Sequence, residues 1–242
     1  LSKKSESKLT KYRILRASSA LAKRLPRTRP FSKHGFYEYV RRYGKVIAKP
    51  ISGSGGAGVI LISRTDSGRY EVHRGRHKRK FRGKKKTYRY LRRKISRRYL
   101  LQRAISLARV GGRPFDVRVM VQRKSGSDWH VTGMLAKVAG KGYIITNIKR
   151  SGGYVLPLAS ALSGSNMRGN RAHVISTLRQ VALAAAKRLS TYYTSQRVFG
   201  FDMGVDKNGK VWIIEANLRP DISLFLKLKD KTMYRRILSY RR

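Results

Sequence analysis

Apolar residues at Val174, Leu178, Val181, Ala182, Ala185 and Leu189 trace one face of a helix, with Arg179, Lys187 and Arg188 left for solvent, so a helix is predicted over 174–189. Elsewhere the repeat shortens. Segments 45–49, 59–62, 99–105, 117–122, 129–138, 198–205 and 210–216 are short, apolar or alternating, and bounded by turn residues, which is the pattern of strands. A brief amphipathic stretch at 36–43 precedes the first of them, and Ser125-Gly126-Ser127 marks a turn between two that pair. Residues 74–98 carry 15 Lys or Arg in 25 positions, yet Tyr88, Leu91 and Ile95 keep helical spacing. That predicts a basic-faced helix in the second half of the segment, behind a mobile loop. Residues 1–30 are polar and basic, with Ile14, Leu15, Leu21, Ala22 and Leu25 enough for a short helix that ends before Pro26, and they read as an arm.

Composition then limits the chemistry. With 242 residues and 40% hydrophobic content the chain can bury a core, and no run of apolar residues is long enough to span a membrane. Polar and basic residues at positions 2–5 predict cytoplasmic synthesis. The absence of cysteine excludes disulfides, thiolate nucleophiles and Cys-ligated zinc. His73 and His77 have the spacing of a helical metal pair but lack an adjacent Glu and flank Gly75 in a cationic run, so oxygen ligands are the better expectation for any metal. Lys and Arg number 58 against 11 Asp and Glu, a formal net charge of +47, and self-repulsion of that size calls for bound counterions or an anionic partner.

The 11 acids are not scattered evenly. Asn208-Gly209 is the strongest hairpin signal in the chain, and a two-residue turn centred there pairs Lys207 with Lys210 and sets Asp202 opposite Glu215. Asn217 then shares the Glu215 face, which brings three oxygen-bearing side chains into one patch suited to magnesium. Like charges facing across a β-pair destabilise it unless a cation, or a basic side chain, lies between them. Asp206 reads as serving the turn, and Asp221 either as a loop cap or as a substrate contact. Upstream, Lys49-Pro50 leads into Ser52-Gly53-Ser54-Gly55-Gly56-Ala57-Gly58 and then another strand. That loop has neither the Gly-Lys-Ser/Thr ending of a P-loop nor a helix after it, and reads as a strand-loop-strand flap whose backbone NH groups can approach phosphate.

Taken together, Lys49-Pro50 with its glycine loop, 99–105, Asp116-Val117-Arg118, and 200–202 through 214–217 resemble the ATP-grasp superfamily. Leu25-Pro26-Arg27-Thr28, 113–118, Thr146-Asn147 with Gly152-Gly153, and 217–220 are most similar to the YheC/YheD-type ATP-grasp proteins associated with endospore coats. The resemblance implies an α+β fold of two lobes with antiparallel sheets gripping ATP, the smaller at about 31–100 and the larger at about 101–230, within a domain of 31–242 that ends in a basic tail. It implies Lys49, Ser54, Gly55 and Gly56 on phosphate, and Gln102, Arg103, Ala104 and Ile105 lining adenine. Asp202, Glu215 and Asn217 would hold Mg2+, while Arg118 would neutralise phosphate or an acyl-phosphate intermediate and Lys137 would be catalytic with it. Lys137 stands where the family pattern has an arginine, which keeps the charge but not a bidentate fork. The activity implied is ATP-dependent carboxylate-amine ligation of an acidic or peptide substrate, with spore association. The acceptor site is expected to need a partner or the 1–30 arm. The alternative reading is a polyanion- or nucleic-acid-binding structural protein with a relic ATP-grasp fold, in which the basic 74–98 segment and its Phe81, Tyr88 and Tyr90 grip the polymer.

Overall fold

The computed structural model describes residues 4–53, 55–65, 68–95 and 98–241. Its elements run α1 (Lys8–Arg16), α2 (Ser19–Ala22), β1 (Thr28–Pro30), α3 (Lys33–Tyr43), β2 (Lys45–Pro50), β3 (Ile60–Arg64), β4 (Arg69–Arg74), β5 (His77–Arg82), α4 (Lys84–Lys94) and β6 (Tyr99–Arg103). Then follow β7 (Arg109–Val110), β8 (Arg113–Gln122), β9 (His130–Val138), α5 (Ile148–Ser151), β10 (Tyr154–Pro157), α6 (Leu158–Ser163), α7 (Arg171–Ser190), β11 (Val198–Val205) and β12 (Val211–Asn217). A 3-10 turn at Ser223–Lys227 and α8 (Thr232–Ser239) close the chain. Two antiparallel sheets result, β1-β6-β2-β3-β4-β5 and β10-β9-β8-β11-β12, the second carrying β7 beside β8. This is the α+β, two-lobed arrangement that the resemblance implied.

Alternation along each strand decides which face meets the cleft. In the smaller lobe Val46 and Ala48, Ile60 and Ile62, Tyr70 and Val72, and Tyr99 and Leu101 pack beneath α3 and α4 with Phe36, Val40 and Leu91. Lys49, Leu61, His73 and Gln102 therefore point the other way, into the cleft. In the larger lobe Phe115, Val117, Val119, Phe199, Phe201 and Met203 pack against α7 through Leu178, Ala182 and Ala185. The opposite face of that sheet is divided: Met120 and Leu135 lie under Phe225 and Ile237, while Asp116, Arg118, Lys137 and Asp202 border the cleft. Among the described residues no helix is long and apolar enough to cross a membrane.

Three segments depart from the sequence reading. Residues 1–30 do not stand apart from Lys8 onward: Tyr12, Leu15, Leu21 and Leu25 are buried in the larger lobe's core, because α1, α2 and the turn after them pack on that lobe, the helices against α7 and β12. The loop expected ahead of α4 is in part the strand β5, which pairs along its whole length with β4. It lacks an alternating apolar pattern because one edge and most side chains face solvent. The basic tail contributes core, since Leu224, Phe225 and Ile237 are buried on Met120 and Leu135.

Candidate nucleotide and metal site

The β11–β12 hairpin places Asp202 opposite Glu215 and Gly200 opposite Asn217, as expected, but by a different route. The turn spans three residues rather than two. Val205 pairs with Val211, Asp206 donates its NH to the Lys210 carbonyl (3.1 Å), and Gly209 alone takes positive φ, at 77°. Asp206 shapes this loop by accepting from Asn208 N (3.0 Å) and Lys210 N (3.1 Å), and it also receives Trp212 Nε1 (2.9 Å). The register is then shifted back by a bulge between Met203–Ile213 and Asp202–Glu215, leaving Ile214 as the extra residue. The core records the same switch: Val211 and Ile213 pack inward, then Ala216 does. Without the extra residue Glu215 would fall on the core side with Ile213.

A row of charges crosses the cleft face of the larger sheet. Lys137 on β9 pairs with Asp116 on β8, Arg118 on β8 with Asp202 on β11, and Asp202 with Glu215 on β12. Arg118 donates from Nε to Asp202 Oδ1 at 2.8 Å and from Nη2 to Oδ2 at 3.3 Å. Lys137 Nζ lies 2.8 Å from the same Oδ1 and 3.1 Å from Asp116 Oδ1, without hydrogen-bond alignment to the latter. Thr146 donates to Asp116 Oδ2 at 2.5 Å, joining the 140–147 loop to the row.

Burial works against every charge here, and the partners decide the outcome. It disfavours the Asp202 carboxylate, but Arg118 and Lys137 outweigh it and hold that carboxyl below its ordinary value. Burial would lower Arg118 and Lys137 too; Asp202 on the first, and Asp116 with Asp202 on the second, raise both instead. Burial prevails at Asp116, pushing that carboxyl up despite Lys137.

Across the cleft, Lys49 on β2 donates to Gln102 Oε1 (3.0 Å) and to the carbonyl of the bulged Ile214 (3.3 Å). Gln102 is itself held by Thr28 Oγ1 at 2.9 Å, and Thr28 N by Tyr12 OH at 3.1 Å, so a chain of hydrogen bonds runs from α1 to the Lys49 ammonium. Burial lowers Lys49, with Glu215 opposing. The glycine loop is tied from both sides. Lys8 Nζ donates to the Gly53 carbonyl and lies 3.6 Å from Glu215 Oε1, while Arg150 Nε donates to the Gly55 carbonyl at 3.0 Å.

The cleft these elements enclose has a volume of about 870 Å³ and is lined by Lys49, Gly55, Gly56, Gln102, Arg103, Ala104, Ile105, Arg118, Lys137, Asp202, Glu215 and Asn217. Every site residue expected from the sequence borders it except Ser54, which lies outside the described residues. Two carry duties beyond lining. The Gln102 amide is engaged by Lys49 and Thr28, and the Arg103 guanidinium sits over the rings of Tyr43 and Trp212, one from each lobe. Asp221 caps the 3-10 turn through Ser223 N (2.9 Å) and also borders the cleft, its carbonyl accepting from Arg118. His73 and His77 sit on separate strands, and His73 Nε2 is 3.1 Å from the Gly142 carbonyl.

Asp116 and Lys8 were not singled out for roles by sequence reasoning. The first had a signal, its two-residue offset from Arg118, which puts both on one strand face. Lys8 had none, because its helix carries Lys8 and Lys11 at positions where an apolar stripe would be read.

Two carboxylates, Asp202 and Glu215, and the Asn217 amide share the cleft side of the hairpin, and among the described residues no three Asp, Glu or His side chains gather as a metal site. Oδ1 of Asp202 takes Arg118 and Lys137 at short range, whereas Oδ2 has longer partners, Arg118 at 3.3 Å and Asn217 at 3.4 Å. Oδ2 thus has acceptor capacity beside Glu215 and Asn217, and magnesium ordinarily takes one or two carboxylates and completes its shell with water and phosphate oxygens.

Comparison with known proteins agrees with this fold. The family model described as YheC/D-like ATP-grasp matches residues 1–241. The chain is 31% identical over 222 residues to endospore coat-associated protein YheD of Bacillus subtilis (strain 168), covering 83% of this chain and 46% of that protein. It is 20% identical over 228 residues to YheC of the same organism, covering 93% and 62%. It therefore spans about half the length of the first of these relatives and less than two thirds of the second. Among solved structures it resembles N5-carboxyaminoimidazole ribonucleotide synthetase from Thermotoga maritima (TM-score 0.52, 15% identity, 98% of this chain and 48% of that one). It also resembles the ATP-grasp ligase PsnB complexed with minimal precursor, Mg and ADP (TM-score 0.53, 13% identity, 97% and 59%).

Proposed function

This chain belongs to the YheC/D-like ATP-grasp family, and we propose that it binds Mg-ATP between its two sheets and uses it to join a carboxylate to an amine. The observation that carries the reading is the cleft-facing row Lys137, Asp116, Arg118, Asp202 and Glu215, set across from a buried Lys49. Lys49 meets phosphate, and the glycine flap lies over it with backbone groups. Arg103, Ala104 and Ile105, at the end of β6, border adenine, with Gln102 orienting Lys49. Asp202, Glu215 and Asn217 would hold magnesium, which would supply positive charge to the phosphate oxygens.

In the reaction a substrate carboxylate oxygen attacks the γ-phosphorus, the bond to the ADP oxygen breaks, and an acyl phosphate forms. An amine nitrogen then attacks the acyl carbon, phosphate leaves, and the amine's proton passes to solvent. Neither step needs a covalent nucleophile from the protein. Arg118 and Lys137 lower the barrier by being already fixed and desolvated where negative charge gathers, their side chains 9% and 6% exposed. Acidic or peptide substrates suit the positive cleft, and the spore association named for the relatives is part of the same proposal.

Glu215→Gln tests the reading. Glu215 is part-exposed with Lys8 as its ion partner, so the variant is expected to stay folded while the magnesium dependence of ATP binding, followed by calorimetry, falls away. The ligase reading is abandoned if nucleotide affinity ignores this substitution and the wild-type protein releases neither ADP nor AMP with diverse acidic peptides and amines.

A further inference from the structure

β5 ends the smaller sheet and pairs with no further strand among the described residues, so one edge of its backbone is open. Every residue of β5 except Phe81 is exposed, as is every described Lys and Arg of 74–98, and no acid occurs between Glu71 and Asp116. Among the described residues the one ion pair this segment makes is Lys78 with Glu71, at 3.3 Å. Nucleic acid is disfavoured as the partner by where the rings lie. Phe81 packs on Tyr90 at 4.7 Å, and Tyr88 stacks on Phe31 at 5.9 Å, so these aromatics are spent on the lobe itself rather than offered to bases.

We propose that the β5 edge, with the adjoining face of α4, docks an acidic polypeptide that adds to the smaller sheet as a further strand. An extended partner presents alternate side chains about 7 Å apart on each face, the spacing at which β5 displays Lys78, Lys80 and Arg82 on one side and His77 and Arg79 on the other. Opposite charges pair favourably across strands, whereas the same cations repel β5 of a second copy, so the edge is closed to self-pairing and open to an acidic chain. Lys78 also lines the cleft, which puts the added strand at the cleft mouth. The inference stands on this surface alone and is independent of nucleotide chemistry.

The full chain is titrated with poly-L-glutamate, polyphosphate and single-stranded DNA at physiological salt, where the Debye length is about 8 Å and diffuse attraction is screened. The triple variant Arg79→Glu/Lys80→Glu/Arg82→Glu is compared with Arg171→Glu/Arg179→Glu/Lys187→Glu on exposed positions of α7, which changes net charge equally. The first is expected to lose about tenfold or more in polyglutamate affinity and the second far less, as befits local rather than global complementarity. Hydrogen exchange of the 77–82 amides is expected to slow with polyglutamate and not with polyphosphate. Circular dichroism checks the fold, and the neutral Arg79→Gln/Lys80→Gln/Arg82→Gln variant takes the place of the first if charge reversal unfolds it. Equal losses in both variants, unprotected 77–82 amides, or DNA or polyphosphate binding as tightly as polyglutamate would each overturn the proposal. ATP affinity, measured on the same samples, reports on the cleft separately.

Discussion

Asp202→Asn removes one charge and leaves two buried cations sharing what remains. Arg118 and Lys137 each have an atom 2.8 Å from Asp202 Oδ1, and the three side chains are 9%, 6% and 16% exposed, so water can do little to compensate. After the substitution Asp116 is, among the described residues, the carboxylate left in contact with either cation, 3.1 Å from Lys137. Each contact is worth roughly 4 kcal/mol of gross attraction at an effective dielectric near 20, and breaking a buried pair on one side typically costs about 3–5 kcal/mol net. We expect a loss of that size at pH 7, read from urea unfolding, with the melting temperature lower by roughly 10 °C for a chain of this length. The pH dependence has a fixed sign. Because the Asp202 carboxyl is lowered in the folded protein, its contribution is complete above the unfolded value of 3.8 and lost as pH falls through the folded one. The deficit of the variant should hold steady from pH 7 to about 4 and narrow below. A double variant, Asp202→Leu with Arg118→Met, removes both ends of the tightest pair and should recover part of the loss, because apolar replacement of a buried pair is often near neutral. A single-variant cost under about 1 kcal/mol, or a double variant no better than the single, would refute the reasoning.

Lys137→Arg should be tolerated, since a guanidinium can bridge the Asp116 and Asp202 oxygens that Lys137 now spans, whereas Lys137→Met should cost about 3 kcal/mol or more by stranding Asp116; urea midpoints compare the two. Gly153→Ala should be severe, because a Cβ there would lie 2.1 Å from the Val138 carbonyl oxygen, and backbone on both sides must move. A loss of about 1–3 kcal/mol or more in calorimetric stability, centred on the junction of α5 with β9, is the expected result.

Much of the architecture could be read from periodicity because most elements bury one face and expose the other. α7 shows this along Val174 to Leu189, and β2 shows it with Val46 and Ala48 inward while Ile47 and Lys49 face the cleft. What was missed broke that condition. β5 has almost no buried side chain, so nothing in His77 to Arg82 alternates in polarity, and its strand character comes from pairing with β4. α1 misled in the opposite sense: Lys11 is buried on the face that also buries Tyr12 and Leu15, so a residue type read as solvent-facing occupies a core position. Burial lowers that ammonium, with Glu215 opposing, which ties the supposed arm to the carboxylate of Glu215 on the cleft face. The residues that line the cleft were more legible than the elements, because Asp202, Glu215 and Asn217 stand out as oxygen-bearing side chains in a chain with 58 cations.

The hairpin is where sequence reasoning reached the right facing pair through wrong intermediate steps. A two-residue turn at Asn208-Gly209 would have carried Asp202 to Glu215 directly; the actual three-residue loop shifts the register by one, and the Ile214 bulge shifts it back. The two departures cancel in number but not in chemistry. A regular strand would keep the Ile214 carbonyl in the ladder, whereas the bulge frees it to accept from Lys49 across the cleft. The same extra residue rotates Glu215 and Asn217 off the core side occupied by Ile213 and onto the face of Asp202. One backbone irregularity thus sets the oxygen patch and tethers the ammonium opposite it. A strand that pairs without the bulge would therefore lose both halves of the site together, since Glu215 could not face Asp202 from the position that Ile213 now fixes in the core.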